Sequence, residues 1–506
     1  MISQESKLGF DKLFLTCMSL IAMPGRMDAA PEFMASKDRA NSPNIAYLLC
    51  DDLGYGDVKC LGGNRSKIAT PNIDRLASQG MIFTEAHSSS AVCTPTRYGI
   101  LTGRYNWRSR LQQGVLGGYS EPLIDKNRLT VPALLKQNGY DTACIGKWHL
   151  GMNIDKKDPQ ARIANGATTR GFDYFFGISA SLDMPPFAFI ENDHFTEAPT
   201  AVKNFLRSGA AAPGFEAVDV LPTLTKKAVA FVGQHAKAEK PFFLYLPLNS
   251  PHTPIVPTKE WEGKSGLGKY GDFVMETDWS LGRVLDAIDK AGIADNTLVI
   301  FTSDNGCSPA AGVGNLERQG HFPSELRRGY KSDIWDGGHR IPFIARWPGN
   351  VKAGSRCDEL ICLTDLMATC AEIVGAKIPD NAGEDSASIL SALLGMGGKT
   401  AHEAVVHHSI GGAFAIRQGQ WKLELTQGSG GWGKGSVKEP GQLYDMSKDI
   451  GERTNEYSQH PEIVSRLTKL LQKYVAEGRS TPGPAQKNDV PVDIWKKRTT
   501  KREVTE

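Results

Sequence analysis

The sequence predicts an α/β fold: a mostly parallel sheet sandwiched by helices, followed by a smaller antiparallel sheet and a closing helix. Three observations predict it. Four apolar runs, each closed by polar residues, alternate with helical patterns, which is the grammar of parallel strands joined by crossover helices. After about residue 400 that grammar gives way to short strands of alternating character, which suit an antiparallel sheet. A chain of 506 residues is long enough for one large domain and one small one, each with its own apolar core.

Taken in order, the first segment stands outside that fold. Residues 13–23, LFLTCMSLIAM, form a short apolar core behind Lys7 and Lys12 and ahead of a Pro-Gly pair, so residues 1–30 read as a secretory signal peptide. Glu5 and Asp11 dilute its basic region. The expected location is periplasmic or secreted. No other stretch is long and apolar enough to cross a bilayer, so no membrane span is expected after signal removal.

The large domain is expected over residues 42–400. Its strands are NIAYLLC, before Asp51 and Asp52; YDTACIG, before Lys147 and His149; PFFLYLPL, before Asn249 and His252; and TLVIFTS, before Asp304 and Asn305. Val131, Leu134 and Leu135, with Pro132 suited to a first turn, mark one helix, and Leu281, Val284, Leu285 and Ile288 mark another. In such folds ligands sit beyond the carboxyl ends of the strands, so the polar residues just named are expected to converge. Residues 401–480 form the smaller unit, with strands AVVHHSI, AFAIRQG and WKLELTQ and a Gly-rich loop, TQGSGGWGKGSVKEPG. Its helix follows Pro461 and carries Ile463, Leu467, Leu470, Leu471 and Tyr474 on one face. The polar stretch over 481–506 is expected to be a loosely held tail.

Composition narrows the partners. With 58 Lys and Arg against 56 Asp and Glu there is no basic stripe to neutralise a nucleic-acid backbone, so any bound anion must be met by a few placed charges. The nine cysteines lack both the paired spacing of a zinc site and the density of a disulfide scaffold. One of them has a distinctive setting: in AVCTPTRYGILTGR, Cys93 lies two positions before Pro95 and four before Arg97.

Asp51, Asp52, Asp304 and Asn305 are all oxygen donors and would suit one hard divalent cation. Alone, DDLGYGD fits a turn or a helix cap equally well; a second Asp-Asn pair at another strand end favours the cation. Arg97, Lys147, Lys331, His149 and His252 gathered round the same point describe a pocket for a tetrahedral anion. A thiolate there could attack a phosphoryl or sulfuryl group. An alcohol attacking sulfur would instead leave a sulfate ester that water cleaves slowly. A hydrated aldehyde carries two hydroxyls on one carbon, one to attack and one to lose a proton and expel the sulfate, and that logic favours oxidation of Cys93 to formylglycine.

These residues carry a family resemblance. CTPTRYGILTGR resembles the sulfatase signature C-x-P-x-R followed by L-T-G-R, which the formylglycine-generating enzyme recognises. GKWHLG, SPHTP, SDNG and RGYKSDIWDGGHRIPFIARWPG resemble the family's other blocks in the family's order, from about Asn44 to the LYDMSKDIGERTN stretch. The chain is similar to the arylsulfatase A and N-acetylgalactosamine-6-sulfatase group of the alkaline-phosphatase-like superfamily. The resemblance implies one calcium ion on Asp51, Asp52, Asp304 and Asn305 with the modified Cys93 beside it. It implies that Arg97 supports the aldehyde hydrate, that Lys147 and Lys331 hold sulfate oxygens, that His252 helps to protonate the leaving alcohol, and that His149 takes the proton that triggers sulfate release. Thr96 stands where serine is common and Asp336 where glutamate is usual before Gly-Gly.

Two other readings compete. A phosphomonoesterase or phosphonate hydrolase of the same superfamily would use a serine or threonine with two metals, whereas this chain offers one Asp-rich set and a cysteine. A non-catalytic binder of sulfated glycans would be expected to have lost part of the constellation, and every polar position is filled. For the substrate, SASLDMPPFAFIENDH at 179–194 either packs as a surface loop through Pro185, Pro186 and the two phenylalanines or brings Asp183 and His194 to bond hydroxyls and Phe187 and Phe189 to stack on a sugar; with the resemblance and the expected export, the second reading implies an exo-acting enzyme on a sulfated carbohydrate such as a galactose or N-acetylgalactosamine sulfate.

Overall fold

Ile45, Tyr47 and Leu49 leave the strand Asn44–Cys50 on one side, Ala46, Leu48 and Cys50 on the other, and all six are buried. A strand apolar on both faces must be covered on both, and burial of each large side chain contributes about 1.5–3 kcal/mol. The computed structural model, which describes residues 42–397 and 402–496, shows how this is met. The signal-peptide segment lies outside the described residues.

The sheet has ten strands with a parallel centre. The strands predicted from sequence are four neighbours in it: Thr297–Ser303, Asn44–Cys50, Phe242–Pro247 and Asp141–Lys147, all mutually parallel, joined by a fifth parallel strand, Tyr174–Ile178. Antiparallel strands flank the parallel centre: Phe343–Arg346 next to Thr297–Ser303, with Met81–Phe83 and Ser355–Cys357 beyond it, and on the other side the short pair Ile190–Glu191 and His194–Phe195 beyond Tyr174–Ile178. Helices Pro71–Gln79, Val220–His235 and Lys269–Lys290 cover one face, the last burying Leu281, Val284, Leu285 and Ile288. Val131–Gln137 and Leu366–Ile373 cover the other. Val131–Gln137 starts where Thr130 accepts a hydrogen bond from the Ala133 N–H, with Pro132 in its first turn.

The smaller sheet is antiparallel throughout: Val405–His408, Phe414–Gln418, Trp421–Glu424 and Gln442–Asp445. Helix Pro461–Ala476 packs Leu467, Leu471 and Tyr474 onto it, together with Tyr105 and Trp107 from the large domain. The segment after Ser480 corrects an expectation. Far from being loosely held, residues 487–489 meet two fully buried arginines: Arg104 donates to the Lys487 carbonyl at 2.9 Å and to Asp489 at 3.1 Å, and Arg108 donates to Asn488 Oδ1 at 2.9 Å. Further on, Ile494 is buried in the small domain's core. Asn488 and Asp489 are polar because their partners are guanidinium groups.

Candidate active site

The acidic turns at the ends of two adjacent central strands are stitched together. The Asp52 N–H donates to Asp304 Oδ1 at 3.2 Å, and Asn305 Nδ2 donates to Asp52 Oδ1 at 2.8 Å. Behind them the backbone of SDNG runs so close to 337–338 that a Cβ on Gly306 would lie 1.9 Å from the Gly337 carbonyl. That approach delivers Lys331, whose N–H donates to the Cys307 carbonyl at 2.9 Å. Asp52, His149 and Ser332 hold left-handed backbone, with φ of 67°, 56° and 85°. Each such residue costs on the order of 1–2 kcal/mol, and strain of this kind gathers where a fold over-determines a functional site.

Cys93 opens the helix Cys93–Thr102 and is buried at its N-terminus. Burial pushes its thiol up, but Lys147, Lys331 and His149 together hold it well below the ordinary thiol range. Arg97, one turn along the same helix, donates Nε and Nη2 to Asp304 Oδ2 at 2.9 and 2.7 Å and Nη1 to the Lys147 carbonyl at 3.1 Å. Lys147 Nζ lies 2.6 Å from Asp51 Oδ2, and Lys331 Nζ 2.7 Å from Asp52 Oδ1. All of these side chains are buried.

One carboxylate oxygen from each of Asp51, Asp52 and Asp304 lies within 4.8 Å of the others. Asp51 Oδ1 and Asn305 Oδ1 are buried without a hydrogen-bond partner in the protein, while the Asn305 amide nitrogen is spent on Asp52 and the Gly306 carbonyl, so oxygen is what Asn305 presents. Burial and the Asp51 charge push Asp304 up to about 7 despite its two bonds from Arg97. Unpartnered buried oxygens in a crowd of carboxylates fit a hard divalent cation. Cys93 Sγ adjoins this set, within 4.8 Å of Asp51 and His252 ligand atoms.

Two histidines have their tautomers fixed by backbone. His149 Nε2 lies 2.6 Å from the Leu116 carbonyl, which can only accept, so Nε2 carries the proton. Its Nδ1 is left as a lone pair, buried, with no nitrogen or oxygen partner, interacting with Cys93. Burial and the Lys147 charge hold His149 below the usual histidine value, which keeps it neutral. His252 is the reverse. Its Nδ1 donates to the Thr253 carbonyl at 2.6 Å, its Nε2 lies 3.6 Å from Asp52 Oδ2, and although burial and Lys331 lower its proton affinity, Asp52 and Asp51 raise it further. One imidazole is therefore built to accept a proton and the other to give one.

A cavity of about 460 Å³ opens above Cys93, His252 and Lys331. Asp183 lines it, as the sequence reading expects. His194 does not: it sits exposed on a short hairpin and pairs with its neighbour Asp193 at 2.8 Å. Phe187 and Phe189 are also turned away from any sugar, the first packed edge-on against Phe205 at 5.0 Å and the second stacked on Phe176 at 5.2 Å. Two residues that the sequence did not single out, Arg207 and Trp432, line the cavity instead. A tryptophan between glycines, in a loop otherwise free of large side chains, was the available signal for the second.

A base and an acid flanking one nucleophilic position, with cations to hold an anion, are what transfer at a tetrahedral centre requires, and the fold is of the alkaline-phosphatase-like class. The sulfatase family profile matches residues 43–376. An N-acetylgalactosamine-6-O-sulfatase of Bacteroides thetaiotaomicron is 36% identical over 485 residues, covering 86% of this chain and 93% of the relative. Human arylsulfatase A is 32% identical, covering 88% of this chain and 90% of the relative. A solved chain from work on glycosaminoglycan metabolism by Bacteroides thetaiotaomicron superposes with a TM-score of 0.77 at 35% identity, over 86% of this chain and 99% of that one. The chain belongs to the sulfatase family and is a sulfuric ester hydrolase.

Proposed function

We propose that this enzyme removes sulfate from a sulfated carbohydrate, using a formylglycine made from Cys93 and one calcium ion, in the periplasm or outside the cell. The observation that carries this reading is the fixed tautomer of His149, which turns a lone pair toward residue 93. A base at that point is what a second hydroxyl on residue 93 needs in order to lose its proton and expel sulfate. The formylglycine, made by the formylglycine-generating enzyme, would supply a carbon bearing two hydroxyls. Asp51, Asp52, Asp304 and Asn305 would hold the calcium, with residue 93 beside them, and its charge would offset those of the carboxylates and of the incoming sulfate. Lys147 and Lys331 bind sulfate oxygens. Arg97 keeps Asp304 in place. His252 gives its proton to the leaving sugar oxygen, and His149 takes one from residue 93 to release sulfate. Asp183 accepts a sugar hydroxyl.

The test is the mass of the peptide spanning residue 93, taken from protein of measured activity. Oxidation of the thiol to an aldehyde in the active fraction, and loss of repeated turnover in Cys93→Ser, are the expected results. An active preparation with an unmodified thiol would replace this reading with a thiolate mechanism, and a Cys93→Ser enzyme of full turnover would show that residue 93 needs no second hydroxyl.

A further inference from the structure

The cavity has a mouth as well as a floor, and the mouth is formed by segments that no sulfate chemistry requires. Trp432 is 55% exposed, yet its loop is not free. The Trp432 N–H donates to Ser332 Oγ at 2.9 Å, the Gly433 N–H to Asp333 Oδ1 at 2.7 Å, and the Ile334 N–H to the Ser429 carbonyl at 2.7 Å. The loop is thereby clipped to the residues that directly follow Lys331. An indole held open to solvent by a pinned backbone has lost its entropy beforehand and gains only when an apolar surface covers it.

Arg207 comes from another direction, from the hairpin Ala201–Phe205 and Arg207–Ala211. Its side chain is 58% exposed, and among the described residues its nearest carboxylate is Asp183 Oδ2 at 3.6 Å, too far for a hydrogen bond. The other oxygen of Asp183, with the hydroxyl of Ser181, is buried in the same cavity without a partner. A site meant only for a neutral sugar has no use for a fifth cation this far out, since Lys147, Lys331, His252 and Arg97 already surround the reacting centre.

Resting on the carbohydrate reading above, we propose that Trp432 and Arg207 form a selectivity surface at the mouth of the cavity for sulfated sugars that carry a further anionic group. Trp432 lies against the apolar face of a ring, the unpartnered oxygens of Asp183 and Ser181 take its hydroxyls, and Arg207 grips a carboxylate or a second sulfate with its planar fork. The substrate class is an acidic, sulfated oligosaccharide.

The experiment measures kcat/KM for the parent, Arg207→Gln, Trp432→Ala and Trp432→Phe on four substrates. These are an aryl sulfate, a sulfated N-acetylhexosamine, the same sugar linked to a uronate, and the same sugar with a second sulfate. Arg207→Gln should lower the ratio of doubly to singly charged sugar by about tenfold or more. A drop confined to the uronate pair assigns the carboxylate, and one confined to the disulfated pair assigns sulfate. Trp432→Ala should lower the ratio of sugar to aryl sulfate, and Trp432→Phe should restore much of it. Parental ratios in all variants, or equal losses on every substrate, overturn the proposal while leaving the carbohydrate reading intact. A parent that cleaves aryl sulfate and no sulfated sugar removes that reading and this inference together.

Discussion

At the scale of single residues, the polar ends of the strands were readable because a buried run that stops at a carboxylate or an ammonium leaves few places for it to go. Asp51, Asp52, Lys147, His252, Asp304 and Asn305 meet for that reason. What the residues do for each other was less readable. Arg97 stands four positions after Cys93 and reads on sequence as serving it, whereas its fork is closed on Asp304. Arg97→Lys keeps the charge but cannot make both bonds to one carboxylate. Affinity for the proposed calcium should then fall about 10- to 100-fold, as for other residues that orient a metal ligand. Titrating calcium into chelated protein and following thermal stability checks this apart from activity, and parental affinity in the variant would show that Asp304 is positioned without the fork. His194 and the two phenylalanines were misjudged because a loop rich in aromatic and polar residues looks alike whether it faces a ligand or packs on itself.

Among elements, the strands and helices with a clean period were legible, and the edges of the large sheet were not. Ile190–Glu191 and His194–Phe195 are two residues each, too short to show any alternation. The joint between the two sheets was equally hidden, since it is made by buried charge. Lys422, on the strand Trp421–Glu424, reaches Asp336 at 3.0 Å and Glu424 at 3.2 Å, contacts Glu452, and donates to the Ile334 carbonyl at 3.0 Å. It so ties the small sheet to the block that carries Lys331. Lys422→Met would leave Glu424 and Glu452 buried without their cation and Asp336 with Arg340 alone, at a cost of about 3–5 kcal/mol near neutral pH. Those carboxylates would then hold protons more tightly when folded than when unfolded, so stability returns as the pH falls and the deficit narrows in mild acid. Urea unfolding at two pH values checks it; a deficit that ignores pH would mean that Lys422 matters by packing alone.

For the molecule as a whole, the sequence marked the change from a parallel to an antiparallel sheet but not what residues 487–494 do. Arg104 and Arg108, just beyond the helix Cys93–Thr102, receive residues 487–489, and Ile494 is buried with the small sheet, so this segment joins the two. Truncation after Gln486 should cost about 1–3 kcal/mol for each buried guanidinium bond left unmade, read as a lower melting temperature. An unchanged melting temperature would restore the picture of a loose tail. The burial of Cys93 also has a meaning in time. More than two hundred residues separate it from Asp304 and Lys331, so a growing chain carries this cysteine long before the strands that cover it exist. At about 5–20 residues per second, synthesis leaves on the order of ten seconds or more in which another enzyme can read CTPTR as an extended peptide. On the formylglycine reading proposed above, that reader would have no access once the sheet closes, and the fraction of active molecules would be set by a race that is over before folding ends.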